Sequence, residues 1–309
     1  MLGFLLLAVG CPPPAVVAPV STTAPLTEGD YAITVDGAPL AYHVHGRGPV
    51  CMVHPGGPGL DWSYLRMPEV ERSLTLVYLE PPGTGSSPPL SSPSYYSLER
   101  YAKLLDGAIE ALGLQRACVL GHSHGGYVAI TWAAAYPNRV AGLILYDTAA
   151  RVDPETRKDV VAGAAAYAKE PWFAAAIAAF ERTPKITTDA DAEAAMHDEV
   201  PALFADWTHR QGDFAAWLAG VHAFASPLQG AAAHLAPWDA RVKLSVVHAP
   251  TLVIVGAKDW VTPPARAAEL VQAIAGAQLV TLPNSGHMGH IEEPAEFAAA
   301  IAEFARKLQ

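Results

Sequence analysis

Residues 119–130 read VLGHSHGGYVAI. Ser123 sits between His122 and His124, and Gly121 and Gly125 bracket all three, giving the spacing Gly-x-Ser-x-Gly. A serine hydroxyl is a weak nucleophile until a base takes its proton. The flanks give the motif its setting: an apolar run through Cys118-Val119-Leu120 reads as a buried strand, and the stretch after Gly126 reads as a helix. A turn that sharp strains the serine backbone, and side chains at 121 and 125 would strike the neighbouring strand and helix. The serine is thereby pushed out at the C-terminal end of its strand. The helix start aims backbone N–H groups at the same point, so the His124 N–H is expected to be one oxyanion donor. The rings of His122 and His124, adjacent to the serine in a tight turn, are expected to point elsewhere, so the base must come from a distant segment.

Two later stretches supply candidates. LPNSGHMGHIEEP (282–294) follows a strand and places His287 in the loop beyond it, with His290 as the rival. The two histidines could be read as a metal pair, but a third ligand at suitable spacing is missing, so no metal is expected. LVIVGAKDWVTPP (252–264) puts Asp259 just past a strand end, where it would hold the imidazole tautomer and stabilise the imidazolium. Asp147, closing the run VAGLILYD, is the second candidate acid. Trp260, beside Asp259, is a candidate substrate contact. The second oxyanion donor is expected in HPGGPG (54–59), at Gly57, with Gly56 as the alternative and as a further substrate-binding candidate.

These residues need a scaffold. Asp36-Gly37 between two alternating runs predicts a hairpin. Continuous apolar strands at about 50–54, 75–79, 117–120, 140–146 and 251–255 alternate with helical periods. One of these helices starts after Ser97, a predicted N-cap. This order predicts an α/β fold with a mostly parallel central sheet and helices on both faces. Residues 150–240 are Ala-rich with aromatics at helical intervals and no strand pattern, and they are expected to form an inserted helical cap. The core is then 30–149 plus 241–309.

The chain has 309 residues, about half of them apolar, and a formal net charge of −10. A chain without a basic cluster lacks what a phosphate backbone needs, so no nucleic-acid partner is expected. Three cysteines without a Cys-x-x-Cys pair argue against structural zinc, and Cys51 and Cys118 read as core residues. MLGFLLLAVGC resembles a lipoprotein signal ending at Cys11, with a Pro/Thr-rich tether behind it and the whole of 1–29 outside the folded unit. It predicts a lipid-anchored protein of the cell envelope, with a cytoplasmic protein as the alternative.

With these residues placed, the chain resembles the α/β-hydrolases over about residues 30–309, and within them the proline iminopeptidase branch. Pro55-Gly56-Gly57-Pro58-Gly59 lies where that branch has His-Gly-Gly-Pro-Gly. Glu80-Pro81-Pro82-Gly83-Thr84-Gly85-Ser86-Ser87 lies where it has Asp-Gln-Arg-Gly-x-Gly-x-Ser. The resemblance implies a cofactor-free serine hydrolase with the triad Ser123, Asp259 and His287. It also implies a small-molecule or short-peptide substrate whose free amino group is held by acidic cap residues, for which Glu170, Glu181, Glu193 and Glu199 are the candidates. The first reading carried forward is a proline iminopeptidase-like aminopeptidase, with a carboxylesterase of small substrates and a non-catalytic ligand-binding relative as the alternatives.

Overall fold

The computed structural model describes residues 26–234 and 237–308, so the expected tether at Cys11 lies outside the described residues. A hairpin opens the fold: β1 (Gly29–Val35) pairs antiparallel with β2 (Ala38–Gly46) through Asp36-Gly37. Then come β3 (Val50–His54), β4 (Thr75–Leu79), α1 (Leu98–Ala111), β5 (Ala117–His122), α2 (His124–Ala135) and β6 (Val140–Tyr146). The Ser97 hydroxyl accepts the Arg100 N–H and caps α1, as its position predicts.

The insert after β6 contains β7 (Arg151–Val152), α3 (Pro154–Ala164), α4 (Phe173–Arg182), α5 (Asp189–Glu199), α6 (Trp207–Leu218), α7 (Ala225–His234) and β8 (Trp238–Asp239). The chain returns to the core with β9 (Thr251–Gly256), α8 (Pro264–Ala273), β10 (Gln278–Leu282), α9 (Gly289–Glu292) and α10 (Pro294–Ala305). Eight strands form one sheet in the order β1-β2-β4-β3-β5-β6-β9-β10. The pairings of β1 with β2 and of β2 with β4 are antiparallel, and the rest are parallel.

Central strands that are apolar throughout can bury both faces. Met52, Val77, Val119, Leu143 and Val253 pack on the face carrying α1, α2 and α8. Their neighbours Cys51, Leu76, Leu120, Ile144 and Leu252 pack on the other face, against α10 and the segment between β3 and β4. That segment holds two short 3₁₀ turns, Ser63–Leu65 and Val70–Arg72, whose Tyr64, Leu65 and Val70 enter the core.

The sequence shows no strand pattern between 150 and 240, yet β7 and β8 pair there, Arg151 with Asp239 and Val152 with Trp238. Two residues per strand carry no detectable period. Only closure of the insert on itself brings residues 151 and 239 together.

Arg151 sits at this neck with its side chain 3% exposed. Its guanidinium grips both Glu269 carboxylate oxygens on α8, at 3.0 and 2.7 Å, and also pairs with Asp153 and Glu155 at the start of α3. Arg266 on α8 reaches back to Asp159 on α3 at 2.8 Å. The first cap helix is therefore tied to the core by buried charge. Glu269 keeps Arg266 at 2.8 Å and the other carboxylates are partly solvated, so Arg151→Ala is expected to cost about 1–2 kcal/mol of stability. Arg151→Lys should recover only part of that, because an ammonium cannot form the bidentate grip. Urea denaturation of the two variants checks both values.

Candidate active site

Ser123 joins β5 to α2 with φ 52° and ψ −120°, a conformation L-residues rarely adopt. Its N–H donates to the Tyr146 carbonyl at 3.0 Å, and its carbonyl accepts from the Thr148 hydroxyl at 2.8 Å. The turn exists because its neighbours lack side chains. A Cβ on Gly121 would lie 2.3 Å from the Gly125 carbonyl oxygen. One on Gly125 would lie 2.1 Å from the His54 carbonyl oxygen and 2.5 Å from that of Pro55. Gly126 is a third requirement, which the motif reading missed: a Cβ there would meet the Thr148 side chain at 2.3 Å.

His287, the candidate base, lies in the loop between β10 and α9 and meets the candidate acid Asp259. His287 Nδ1 lies 2.8 Å from Asp259 Oδ2, with both residues buried. The carboxylate can only accept, so Nδ1 carries the proton and Nε2 is left as the basic nitrogen. Asp259 is itself held: Oδ1 accepts the N–H groups of Val261 and Thr262 at 2.8 and 3.0 Å, and Oδ2 accepts the Thr262 hydroxyl at 2.7 Å. The His287 loop is strapped by groups the sequence reading did not single out. Glu293 accepts from Asn284 N and the Ser285 hydroxyl, and Glu292 accepts from Gly286 N at 2.7 Å and Ala205 N at 2.8 Å. The His287 N–H donates to the Leu203 carbonyl at 2.7 Å. The insert therefore helps to hold the His287 loop in place.

The other histidines are committed elsewhere. His122 Nε2 lies 3.0 Å from the His287 carbonyl, so that nitrogen carries the proton, and Nδ1 accepts from the Tyr64 hydroxyl at 2.7 Å. His290 Nε2 donates to the Tyr64 carbonyl at 2.9 Å, and burial pushes its pKa down to about 4. His124 packs edge-on to Tyr101, and burial brings it down to about 3. Burial also holds His122 well below the usual histidine range, with further lowering from His287 and His290 nearby. His122, Asp147 and His287 bring potential ligand atoms within 4.8 Å of one another. Both His122 nitrogens and His287 Nδ1 are already spent on hydrogen bonds, which suits a polar network better than a cation.

The oxyanion loop follows β3. Gly57 has φ +108° and shares with Ser123 the walls of one cavity. The Gly56 N–H donates to the Tyr64 hydroxyl at 2.7 Å, so the alternative donor is already engaged and Gly57 is left as the loop's candidate. Gly56 also does not line the cavity, and a Cβ there would meet the His122 carbonyl oxygen at 2.8 Å and Ser123 Cβ at 2.9 Å. The His124 N–H, first in α2, has no carbonyl partner within its own helix.

Comparison with known proteins places the chain in a family. Residues 49–294 match the family described as alpha/beta hydrolase fold. The 2-hydroxymuconate semialdehyde hydrolase of Pseudomonas sp. strain CF600 is 30% identical over 267 residues, covering 85% of this chain and 88% of that protein. A thermophilic esterase structure from Thermogutta terrifontis superposes with TM-score 0.67 at 27% identity, over 91% of this chain and 99% of that one. A proline iminopeptidase structure from Mycobacterium smegmatis does so with TM-score 0.65 at 22% identity, over 91% and 98%, which shows the shared fold.

The chain belongs to the alpha/beta hydrolase family.

In this hydrolase the cavity between core and insert holds about 170 Å³. Ser123 and His287 line it from the core, and Phe180, Met196, Leu203 and Glu199 from the insert. Among its lining residues there is no Lys or Arg. Trp260, expected at the substrate, does not line it. Asp259 binds the two N–H groups beyond it and so turns the next residue, Val261, to the cavity. Trp260 packs instead against Ala164, Ala176 and Phe180 in the seam with the insert.

Of the four cap acids, Glu170 bonds Thr208, Glu193 pairs with His222 at the surface, and Glu181 is exposed. Glu199 alone of them lines the cavity, with the Thr183 hydroxyl 2.5 Å away. Burial pushes its pKa up to about 7, against the opposing pull of Thr183 and Arg182. The altered loop at 80–87 does not line the cavity. Glu80 knits it from within, accepting from the Ser86 and Ser87 N–H groups and facing His43 Nε2 at 2.7 Å.

The closest test of the elbow is Gly125→Ala. Its methyl would press on two backbone carbonyls that cannot move without shifting β3 and the oxyanion loop. A loss of about 3 kcal/mol or more is expected, read by chemical denaturation, whereas Gly212→Ala, where a Cβ meets nothing within 4 Å, should lose no stability.

Proposed function

We propose that this hydrolase cleaves a small ester or amide through an acyl-enzyme on Ser123. The observation that carries the reading is that His287, oriented by Asp259, opens on the same cavity as a serine held in the strained turn. His287 Nε2 takes the Ser123 proton as Oγ attacks the carbonyl carbon. The His124 and Gly57 N–H groups stabilise the developing oxyanion, and His287 then hands its proton to the departing alcohol or amine. A water deprotonated by His287 attacks the acyl-enzyme and restores the serine.

The cavity walls favour an uncharged acyl group, because the lining is mostly apolar and offers no cation to a carboxylate. The ester reading is therefore placed first, and likeness to the Thermogutta esterase supports it. The second reading, an aminopeptidase for a small N-terminal residue, is favoured by one observation: Glu199 stands in the wall of the cavity that holds Ser123.

Ser123→Ala is expected to lower kcat with p-nitrophenyl butyrate by about 10³-fold or more and to abolish labelling by a fluorophosphonate, with an unchanged circular dichroism spectrum. A wild-type protein that is folded but neither labels nor turns over esters or proline p-nitroanilide would overturn the reading.

The pH dependence of KM separates the two substrate classes. Glu199 is neutral below about pH 7 and charged above it. KM for a neutral ester should rise through that range, since the apolar wall acquires a charge. KM for a substrate bearing an ammonium should fall there, since the charge becomes its partner. Glu199→Gln should flatten either profile.

A further inference from the structure

Two buried polar rings stand next to the nucleophile turn without a part in the proton transfers above. They are Tyr64, in the segment between β3 and β4, and His122, the last residue of β5. Burying a hydroxyl or an imidazole is costly unless its polar atoms are paired. Here the pairs run in series. The Gly56 N–H donates to the Tyr64 hydroxyl at 2.7 Å, that hydroxyl lies 2.7 Å from His122 Nδ1, and His122 Nε2 lies 3.0 Å from the His287 carbonyl.

The ends of this series fix the direction of every link. The His287 carbonyl can only accept, so His122 Nε2 carries the proton of the neutral ring and Nδ1 is left as an acceptor. The Tyr64 hydroxyl must then donate to Nδ1, and its oxygen is free to accept the Gly56 N–H. Both middle members are themselves held. The Tyr64 carbonyl receives His290 Nε2 at 2.9 Å and Trp217 Nε1 at 2.8 Å. The His122 ring stands with its centroid 4.5 Å from that of Tyr146 and 4.7 Å from that of His287. One chain of hydrogen bonds therefore joins the loop of Gly56 and Gly57 to the loop of His287.

We propose that Tyr64 and His122 are positioning residues whose chain of hydrogen bonds holds the Gly57 N–H and His287 at the spacing that one reacting carbonyl needs. The catalytic part of this proposal rests on the serine-hydrolase reading above. Gly57 follows Gly56 directly, so loss of the Gly56 anchor frees the N–H that would face the oxyanion. A cut at His122 frees the backbone of the base as well. Displacing a reacting group by about 1 Å costs about 10²-fold in rate. Tyr64 does not line the cavity, so its hydroxyl acts on the rate and leaves substrate binding alone.

The test uses the whole chain as wild type, Tyr64→Phe, His122→Leu, His122→Gln and the double variant Tyr64→Phe/His122→Leu, each checked for cooperative unfolding. With p-nitrophenyl butyrate, Tyr64→Phe should lower kcat about 10²-fold and leave KM within about twofold. His122→Leu should lose about as much, whereas His122→Gln, which keeps an acceptor and a donor on one side chain, should stay within about tenfold of wild type. The double variant should be no worse than either single one, because a chain cut once is already cut, whereas independent effects would multiply to about 10⁴. Hydrogen exchange reads the chain without turnover: each single cut should speed exchange of both the Gly56 and His287 amides by about tenfold or more. A folded Tyr64→Phe with wild-type kcat, multiplying losses in the double variant, or exchange that changes only at the loop next to the cut overturns the proposal. If folded wild type hydrolyses no ester and takes no fluorophosphonate, the serine-hydrolase reading fails instead, and the exchange rates still decide whether the chain holds the two loops.

Discussion

The site depends on how closely the start of α2 can approach the end of β3. Gly125 lets the backbone of the nucleophile turn touch the carbonyls of His54 and Pro55, where even a methyl group would overlap them. That single contact sets two distances at once. It fixes the hydroxyl of Ser123 at the sheet edge, and it fixes the loop of Gly56 and Gly57 beside it. The strain at Ser123 is sustained because β5 on one side and the start of α2 on the other are buried.

Around this contact the protein sorts its histidines by environment. His122, His124 and His290 are buried without a carboxylate partner, and burial keeps them neutral. Neutral rings make good hydrogen-bond links, and Tyr64 joins two of them: its hydroxyl meets His122 and Gly56, and its carbonyl receives His290 and Trp217. His287 has the same ring and nearly the same burial, but its Nδ1 is bound to the Asp259 carboxylate. The insert takes part in this arrangement, because Leu203 and Ala205 bind the base loop and Trp217 binds Tyr64. It does more than roof the cavity, since it also holds the groups beneath.

Much of the scaffold was legible from periodicity. The strands at 50–54, 75–79, 117–122, 140–146 and 251–256 are apolar on both faces, and few other structures accommodate that pattern. The hairpin at Asp36-Gly37 and the cap at Ser97 were legible because turn and cap chemistry is local. The β7–β8 ladder was not, since it is made only by closure of the insert. Trp260 was placed at the substrate from its position beside Asp259, but the direction of a side chain in a loop follows from which N–H groups the aspartate captures, and no spacing rule encodes that. The straps at Glu292 and Glu293, adjacent to a proline at a helix start, carried no signal that separates them from ordinary helix-capping acids.

By itself the sequence determined which residue types meet. Glycines at 121 and 125 demand a sharp turn, the strand order brings Ser123 and His287 to one edge, and an acid must follow a strand end to orient the imidazole. Tertiary structure alone decided which of the neighbouring groups are free to act. It bound the Gly56 amide to Tyr64 and left Gly57, set Glu199 rather than the other cap acids in the cavity wall, and buried Asp147 beside His122 and His287. The physical reason is that spacing along the chain constrains which elements form. Hydrogen-bond commitment and burial depend on atoms that are distant in sequence and become neighbours only once the sheet, its helices and the insert have closed on one another.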